Sequence, residues 1–316
     1  MKITYINCSR VPTEKAHGLQ MMKMCEAFSK IDKVAVELWV PRRVNKIRQD
    51  PFLYYGVKRN FRIRKIPCVD FIVLDKFLGP VAFWLTELTF LFFVSFYLFT
   101  ARVNVIYTRD KFAVFTLSFF RQNVFYEAHT KAHPRLFFIG RTRGIITITE
   151  HLKKFFVGRG LSEVKMLVAP DGVDVSEFDI SENKDECRKK LALPQDKKIA
   201  LYTGRFFGWK GLEILPQAAE RTLDVEWYIV GGTREEFCAV TGFKSVPENM
   251  HFAGSQAQAE IPWWLAAADA LVVLGTKRDQ QSYFYTSPMK LFEYLLSERA
   301  IVASDTPAIR QIVSDK

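Results

Sequence analysis

Signals for strands and helices alternate along the whole of this 316-residue chain, and that alternation restricts the fold more than any other feature. An apolar run at 3–7 precedes helical spacing of apolar residues at 18–29, and a second strand signal follows at 34–40. Such alternation is typical of an α/β fold with parallel sheets. The helix between two strands brings the chain back, so that each strand starts at the same end of the sheet as the strand before it. Further strands are predicted at 103–107, 123–127, 144–149 and 165–169.

Turn residues at 170–174 and a polar stretch at 181–190 interrupt the pattern, which then starts again. We therefore predict two Rossmann-like, doubly wound domains at 1–170 and 171–316 that face each other across a cleft, and the chain length suits two domains. Ligands of open α/β sheets bind beyond the carboxyl ends of the strands. Strands are predicted at 198–203, 226–230, 250–253, 270–274 and 300–304, and helices at 211–221, 260–267 and 288–296.

The net charge of +11 is unevenly distributed. Residues 1–170 hold 28 Lys and Arg against 12 Asp and Glu, whereas residues 171–316 hold 17 against 22. Three interpretations of the basic half stay open: a solvated loop face, an anionic membrane surface, and nucleic acid, for which no recognised module is present. The densest part, the basic cluster, comprises Arg42, Arg43, Lys46, Arg48, Lys58, Arg59, Arg62, Arg64 and Lys65.

The stretch 81–99 contains 19 residues and a single charge, Glu87, so its length meets that of a membrane span. A charge at mid-bilayer is costly, and a strand signal follows at once, where a crossover helix is expected. Three interpretations of this stretch stay open: a buried crossover helix, a helix inserted shallowly at a membrane surface, and a true membrane span. An apolar face beside the basic cluster would supply the two signals that firm membrane attachment needs.

Five cysteines are scattered along the chain without metal-ligand or redox spacing. This usage fits a reducing cytosol, and the N-terminus has no apolar core of signal-peptide length. We therefore expect a cytoplasmic protein.

The residues 203–211 follow a strand and are predicted to open a helix. Gly204 allows close approach of backbone to a ligand, and Arg205 and Lys210 supply two positive charges that suit phosphate. With a helix N-terminus these residues predict a pyrophosphate site, although a basic pair can also be plain surface charge.

A second group lies at 286–293. Ser287 is predicted as the N-cap of a helix with Pro288 at its first position, so the backbone N–H groups of Met289 and Lys290 would point at an anion. Glu293 lies one turn further, near Lys290, where its carboxylate can accept hydrogen bonds from ribose hydroxyls. The alternative is a surface Lys–Glu pair.

Taken together, these segments resemble the family 4 glycosyltransferases, a large retaining group with the GT-B fold. The resemblance extends over essentially the whole chain, and the order and spacing of the pieces are its specific part. The pieces are FYEAHT, APDGVDVSEF, YTGRFFGWKG, IVGG, FAGSQAQAEIPWWLAAADALVVL and SPMKLFEYLLSERAIVASDTPAIRQIV.

The resemblance implies transfer of a sugar from a nucleotide-diphospho-sugar with retention, without a metal cofactor. Arg205 and Lys210 match residues that stabilise the diphosphate, and Glu293 matches one that holds the ribose. His129 matches the active-site histidine near the transferred sugar. His17 and Gly18 match the loop that closes on the donor diphosphate and the acceptor, and base contacts are expected from backbone at 254–256. The remaining histidines are expected to be structural or exposed: His133, His151 and His251.

The chain departs from the family in two places. The family has a second Glu eight positions before Glu293, where this chain has Tyr285, and relatives continue beyond Lys316, so we expect a truncated chain. The expected partners are a nucleotide-diphospho-sugar, a lipid-linked or surface-polysaccharide acceptor, and an anionic membrane face, without nucleic acid. Two alternatives are a sugar-nucleotide epimerase, which needs a carboxylate acid–base pair, and a catalytically silent membrane-associated binding protein.

Overall fold

A computed structural model describes residues 1–120, 123–131 and 136–313. The chain divides into two compact units, Met1–Ala169 and Pro170–Lys316, each with its own sheet and core. The first unit is called unit 1 below and the second unit 2.

Unit 1 contains a sheet of parallel strands, as the alternation of signals predicts. In the described residues its order is β3-β2-β1-β4-β5-β6-β7, so the strand order reverses between β1 and β4. The strands are β1 (Lys2–Ile6), β2 (Ala35–Pro41), β3 (Arg62–Ile66), β4 (Val105–Thr108), β5 (Val124–Ala128), β6 (Gly144–Thr147) and β7 (Met166–Val168). The edge strand β3 was missed in the sequence, because its residues RIRKI belong to the basic cluster and lack a clear apolar alternation.

Two helices of unit 1, α2 (Pro51–Tyr55) and α7 (Glu150–Val157), begin at residues whose side chains cap their first N–H groups. Asp50 accepts hydrogen bonds from the backbone N–H of Phe52 and Leu53, at 3.0 and 3.2 Å, and Thr149 accepts one from Leu152 N–H at 3.1 Å. The helices are α1 (Ala16–Ser29), α2 (Pro51–Tyr55), α3 (Asp75–Leu78), α4 (Pro80–Thr100), α5 (Lys111–Phe120), α6 (Leu136–Gly140) and α7 (Glu150–Val157).

Two apolar layers cover the two faces of the sheet in unit 1. Consecutive strand residues point to opposite faces, so Tyr5 packs with α1 on one side and Ile6 packs with α4 on the other. Both side chains are fully buried. The core thus fixes β1, whose carboxyl end lies beside the reversal of strand order.

Helix α4 is apolar all round, but only one of its faces is buried. Phe90, Leu91, Val94 and Leu98 pack into the core, and Glu87 is 2% exposed. The buried face of α4 therefore agrees with the prediction of a buried crossover helix. The opposite face forms an exposed row at helical spacing, called the apolar stripe below: Val81, Trp84, Leu88, Phe92, Phe96 and Phe99. Among the described residues, α4 is the helix whose length and composition would allow it to cross a membrane.

Unit 2 repeats the architecture with a parallel sheet of order β10-β9-β8-β11-β12 in the described residues, and its order reverses between β8 and β11. The strands are β8 (Lys198–Thr203), β9 (Val225–Val230), β10 (Met250–Gly254), β11 (Ala270–Val273) and β12 (Ala300–Ala303). The helices are α8 (Lys184–Lys190), α9 (Ile214–Glu220), α10 (Arg234–Thr241), α11 (Ile261–Ala267), α12 (Met289–Leu296) and α13 (Pro307–Arg310).

A buried arginine fastens α8 to the sheet of unit 2. Arg188 is 2% exposed, and its guanidinium donates to the carbonyl oxygens of Ala267 and Lys197, each at 2.9 Å, and to Asp269 at 2.7 Å. Asp269 in turn accepts from the backbone N–H of Ile199 at 2.8 Å. This guanidinium is therefore satisfied by the fold itself.

Candidate nucleotide-sugar site

The predicted phosphate-binding residues of unit 2 lie at the reversal of strand order. The segment 204–211 follows β8, and its last residue, Gly211, packs against the loop that follows β11. Gly211 has a φ of +79°, and a Cβ there would lie 3.2 Å from the Cβ of Thr276 and 3.4 Å from the carbonyl oxygen of Gly275. Reversals of this kind are where open α/β sheets bind ligands.

Gly204 lies at the centre of a group of cations. Its φ of +121° is one that residues with a side chain rarely adopt, and a Cβ there would lie 3.0 Å from Lys290 Nζ and 3.9 Å from Lys210 Nζ. The two ammonium groups therefore flank one backbone position. Arg205 follows directly and is exposed.

Helix α12 is anchored so that Lys290 reaches this position. The hydroxyl of Tyr294 accepts a hydrogen bond of 2.9 Å from the backbone N–H of Thr203, at the end of β8. Lys290 Nζ donates to the carbonyl oxygen of the same Thr203 and lies 3.7 Å from the centre of the Tyr202 ring. The sequence indicated backbone N–H groups of Lys290 as anion donors but did not identify its side chain as a third cation of the site.

The pKa values of Lys210 and Lys290 are both lowered, because the two ammonium groups are buried beside other cations. Burial and the neighbouring Arg205 lower the pKa of Lys210 to about 8, and its Nζ donates to the Arg205 carbonyl oxygen at 3.0 Å. Burial and then the charge of Lys210 hold the pKa of Lys290 well below its ordinary value. An anion among these groups would relieve both effects, because it favours the charged form of each lysine.

Glu293 lies one turn beyond Lys290 and is half-buried, so the pair is not the surface ion pair that was the alternative reading. Burial raises the pKa of the Glu293 carboxyl, while a hydrogen bond from Gln258 Nε2 to its Oε1 at 3.1 Å, and the charge of Lys290, oppose that shift. Gln258 was not predicted, because nothing in its local sequence distinguishes it.

Two local predictions for unit 2 are wrong. Ser287 is not the N-cap of α12, since Pro288 occupies that position and the Ser287 hydroxyl instead accepts a 3.0 Å hydrogen bond from the backbone N–H of Asp171. The segment 203–211 does not open directly into a helix. A short 3-10 turn, Gly208–Lys210, intervenes, and α9 begins at Ile214.

Helix α12 still begins next to the cations. Among the described residues no side chain caps its start, and the N-terminal residues are Met289 and Lys290, as the anion-site prediction requires. Tyr285, which replaces the second family Glu, lies just before this start.

The segment expected to contact the base lies at the carboxyl end of β10. Gly254 has a φ of +70°, and its carbonyl oxygen accepts a 2.7 Å hydrogen bond from the backbone N–H of Gly231. A cleft of about 570 Å³ beside it is lined by 233–235 and 251–254.

In unit 1, His129 follows β5 and forms a pair with a buried carboxylate. His129 Nε2 lies 3.2 Å from Oε1 of Glu127, which is 2% exposed. Gln20 Nε2 donates to the same Oε1 at 2.8 Å, and Arg109 Nη1 donates to Gln20 Oε1 at 2.7 Å. Burial favours a higher pKa for Glu127, but the hydrogen bond and charge of His129, together with Arg109 and Gln20, hold it below its ordinary value.

Sequence reasoning identified His129 but missed the three residues behind it. An acid between two apolar residues of a buried strand is the signal that could have indicated Glu127, and Arg109 directly follows a strand end. No local signal indicates Gln20, because its role depends on the packing of α1 against β5.

His17 and Gly18 lie in the first turn of α1, which begins at Ala16, two residues before the predicted start, so neither lies in the loop that the resemblance implied. Burial and the charge of Arg109 lower the pKa of His17 to about 4, so the ring is neutral at physiological pH. A Cβ on Gly18 would lie 2.3 Å from the hydroxyl of Tyr55, and its N–H already donates to the Lys15 carbonyl oxygen at 2.9 Å. The visible requirement for Gly18 is therefore close packing.

The remaining histidines differ in their surroundings. His251 pairs with Glu226 at 2.6 Å, and His151 is half-buried in α7. His133 lies outside the described residues.

In unit 1, one cluster of side chains could in principle bind a metal. The thiol of Cys8 and the carboxylates of Glu87 and Asp110 lie within 4.8 Å of one another. Burial raises the pKa of the Cys8 thiol far above its ordinary value, which disfavours the thiolate that metals bind. Asp110 Oδ1 already accepts from Phe112 N–H at 2.8 Å. These donors fit a metal poorly.

Comparison with known proteins shows similarity to glycosyltransferases. Residues 197–316 match the family of group 1 glycosyl transferases. That segment contains Gly204, Arg205, Lys210, Lys290 and Glu293. The chain is also 32% identical over 87 residues to the putative teichuronic acid biosynthesis glycosyltransferase TuaC of Bacillus subtilis (strain 168), a match that covers 27% of this chain and 22% of TuaC.

Solved structures resemble the whole chain. Anabaena Alr3699/HepE in complex with UDP and glucose superposes with a TM-score of 0.69 and 16% identity, over 100% of this chain and 83% of that one. The sucrose-phosphate synthase of Thermosynechococcus elongatus gives a TM-score of 0.70 and 16% identity, over 98% and 82% of the two chains. The predicted two-domain α/β fold of the GT-B type is confirmed.

Proposed function

We propose that this protein is a retaining glycosyltransferase that transfers a sugar from a nucleotide-diphospho-sugar to a lipid-linked or surface-polysaccharide acceptor. The observation that supports this most is the group of cations around Gly204, within the segment that matches the group 1 glycosyl transferases. Two crowded ammonium groups and an uncapped helix start form a site that suits an anion.

The proposed chemistry of unit 2 is electrostatic. When the glycosidic bond to the diphosphate breaks, negative charge develops on the leaving group, and Arg205, Lys210 and Lys290 stabilise that charge from fixed positions. Glu293, held by Gln258, accepts hydrogen bonds from the ribose hydroxyls. The cations perform the task that a metal ion performs in other transferases, so we propose that the reaction needs no metal.

The proposed role of unit 1 is to contact the transferred sugar and the acceptor. His129 is the proposed sugar contact, and its pairing with Glu127 supports a functional role, because a purely structural histidine does not need a buried carboxylate partner. His17, neutral at physiological pH, is the proposed acceptor contact.

We further propose that unit 1 attaches to an anionic membrane on its cytoplasmic side. The apolar stripe supports this proposal, since Phe92, Phe96 and Phe99 are 68%, 63% and 79% exposed and such a row is costly in water. The basic cluster adjoins it, because the Arg64 guanidinium lies 4.5 Å from the centre of the Tyr97 ring on α4. Glu87 on the buried face favours a helix that lies in the membrane surface over one that spans it.

Thermal unfolding in EDTA with UDP, GDP, ADP and their sugar conjugates tests the donor site. Ligand at a hundred times its Kd stabilises a protein by about 2.7 kcal/mol, so we expect a clear rise in Tm with one nucleoside diphosphate. Glu293→Ala should abolish that rise, and Glu220→Ala, an exposed glutamate on α9, should retain it. An equal rise in both variants would contradict the ribose role of Glu293, and a rise that needs added metal would contradict the metal-free mechanism.

Sedimentation with lipid vesicles tests the membrane proposal. The protein should bind vesicles with anionic lipid and release them at high salt. The double variant Phe92→Gln/Phe96→Gln should lose binding, whereas Val164→Gln, which changes a 97% exposed apolar residue outside the stripe, should bind normally. Equal binding by all three proteins would exclude the stripe as the attachment surface.

A further inference from the structure

Two exposed aromatic side chains, called the aromatic pair below, lie beside the cations around Gly204. Phe207 is 41% exposed and Trp209 is 37% exposed. Among the Phe and Trp residues that the structure describes in unit 2, these two are the exposed ones. Their rings are stacked at an interplanar angle of 20°, with centres 6.1 Å apart. Together they form a flat apolar surface, which suits a ligand that has an apolar face.

The backbone after β8 places the aromatic pair outside the core. Phe207 is extended, with a φ of −140° and a ψ of 134°, so neighbouring side chains point in opposite directions. Phe206 points inward, and its ring centre lies 5.4 Å from that of Phe237 in the core, whereas Phe207 points outward. The 3-10 turn Gly208–Lys210 then brings Trp209 alongside Phe207. The fold therefore uses Phe206 for packing and leaves the aromatic pair available to a ligand.

Lys210 connects the aromatic pair to the proposed diphosphate site. Its Nζ lies 5.0 Å from the centre of the Phe207 ring and 5.7 Å from the centre of the Trp209 ring. The same Nζ lies 3.9 Å from the position of a Cβ on Gly204, which Lys290 Nζ approaches to 3.0 Å. A phosphate bound by Lys210 would therefore lie next to both rings, and so would the group that this phosphate carries.

The order of contacts distinguishes the two ends of the site. Glu293, the proposed ribose contact, lies one turn beyond Lys290 on α12. Contacts then lead from Lys290 to Gly204 and from Gly204 to Lys210, and the aromatic pair follows Lys210. In a bound nucleotide-diphospho-sugar, the nucleoside would therefore lie at Glu293 and the sugar at the aromatic pair.

A second aromatic segment adjoins the aromatic pair. The π-helical turn Gln281–Tyr285 has the sequence QSYFY, with three consecutive aromatic residues, and lies against the 3-10 turn Gly208–Lys210. Ser282 Oγ accepts a hydrogen bond of 3.1 Å from the backbone N–H of Thr276, against which Gly211 packs. Turns of the π type are rare and occur frequently at functional sites. Two loops therefore contribute aromatic residues near the sugar end of the site.

We infer that the aromatic pair is the surface on which the donor sugar stacks, and that it selects a pyranose with one face of C–H groups. That face of the sugar contacts the two rings, while the hydroxyls at the edge of the sugar remain accessible to water and to polar groups. The inference names the sugar subsite of the proposed donor site, and it rests on the proposed function.

Calorimetric titration of the full chain tests the inference by comparing each nucleoside diphosphate with its own sugar conjugate. The ligand pairs are UDP with UDP-glucose, ADP with ADP-glucose, and GDP with GDP-mannose. Trp209→Leu and Phe207→Leu each remove a ring but keep an apolar side chain, and both residues are exposed, so the core stays intact.

For the ligand pair that the wild type binds, each of these variants should bind the sugar conjugate about tenfold more weakly. A loss of about 50 Å² of apolar contact has an effect of this size. The free nucleoside diphosphate should bind as it does to the wild type, because it carries no sugar at the aromatic pair. Trp209→Phe retains a ring and should keep most of the affinity for the conjugate.

The comparison of the two ligands separates stacking on the sugar from an indirect effect through Lys210. If the rings only hold Lys210 in place, the leucine variants will bind the diphosphate and its conjugate more weakly by the same factor, which would overturn the inference. An unchanged affinity for the conjugate would overturn it as well. Leu223→Ala, which changes a 78% exposed apolar residue of unit 2 outside the site, should alter neither affinity.

Failure of the inference differs from failure of the proposed function. A wild type that binds a nucleoside diphosphate and its conjugate, with leucine variants that bind both equally well, would refute the aromatic subsite alone. A wild type that binds none of the ligands would refute the donor site and the aromatic subsite together.

Discussion

The two units have opposite net charges, and each holds at its strand ends a charge opposite to its own surplus. Unit 1 is rich in Lys and Arg, yet the buried centre of its predicted site is the carboxylate of Glu127. Unit 2 has more acids than bases, yet its site gathers Arg205, Lys210 and Lys290. Net charge therefore describes the surface that a domain presents to its surroundings, while a site depends on a few groups in a region of low dielectric.

The two sites also differ in how their charges are balanced. Each partner of Glu127 comes from the fold itself, so the group in unit 1 is complete without a ligand. In unit 2, burial and then the charge of Lys210 lower the pKa of Lys290, so the cations of this group suit an anionic ligand. The comparison predicts that substitutions in unit 2 alter mainly ligand binding and that some substitutions there improve the stability of the free protein.

The largest expected effect concerns the cations that face the leaving group. Arg205→Ala and Lys210→Ala should each reduce kcat by about 100–1000-fold, the usual loss when one stabilising donor of a transition-state charge is removed. Steady-state turnover with the preferred sugar nucleotide measures this. Arg221→Ala and Lys244→Ala, which change exposed residues of unit 2, are the matched controls, and equal losses in all four would show that general charge matters more than position.

A second experiment compares Arg188, whose charge stabilises the fold, with Lys290, whose charge is expected to bind the ligand. Arg188→Met should lower the free energy of unfolding by about 3–5 kcal/mol, because it removes the buried donor that pairs with Asp269 and satisfies the carbonyl oxygens of Ala267 and Lys197. Lys290→Met should leave the free protein as stable or more so, and should weaken binding of nucleoside diphosphate by about tenfold. Denaturant unfolding and calorimetric titration measure the two quantities. If Lys290→Met is as strongly destabilised as Arg188→Met, the charge of Lys290 is needed for the fold, and the proposed difference between the two residues is wrong.

The pH dependence of nucleotide binding follows from the lowered pKa of Lys210. An anion raises that pKa, so binding takes up a proton when Lys210 is deprotonated beforehand. Through Lys210, the affinity for nucleoside diphosphate should fall by up to tenfold per pH unit as the pH rises above about 8. Lys210→Arg, which stays charged, should bind with a flatter profile across that range. Identical profiles for the two proteins would assign the dependence to another group.

The smallest expected effect lies in unit 1. His17 has a pKa of about 4 in the folded protein and an ordinary one near 6.5 when unfolded, so the unfolded chain binds more protons between those values. Stability should therefore fall as the pH drops from about 6.5 to 4, and His17→Gln should remove about 1 kcal/mol of that fall. Urea unfolding at several pH values measures it, and His151→Gln is the comparison variant.

Much of the fold followed from the sequence, because the alternation of strand and helix signals is a local property that the α/β fold preserves. The strands of both sheets other than β3 were predicted to within a few residues. Edge strand β3 escaped because its cations lie on an exposed edge, where a strand needs no apolar alternation. The wrong N-cap at Ser287 has a similar cause, since its hydroxyl is bound to Asp171, which is far away in the sequence.

The sequence by itself determined the two-unit α/β architecture and the positions of Gly204, Arg205, Lys210, Glu293 and His129, because spacing along the chain locates residues at the ends of strands. Only the tertiary structure decided which of them have partners. It brought the Lys290 side chain to Gly204 through the anchor of Tyr294, joined Gln258 to Glu293, and assembled Arg109, Gln20 and Glu127 behind His129. It also divided α4 into a buried face and an exposed one, which composition could not do because both faces are apolar. Contacts of this kind join distant parts of the chain, so they depend on packing that no local pattern records.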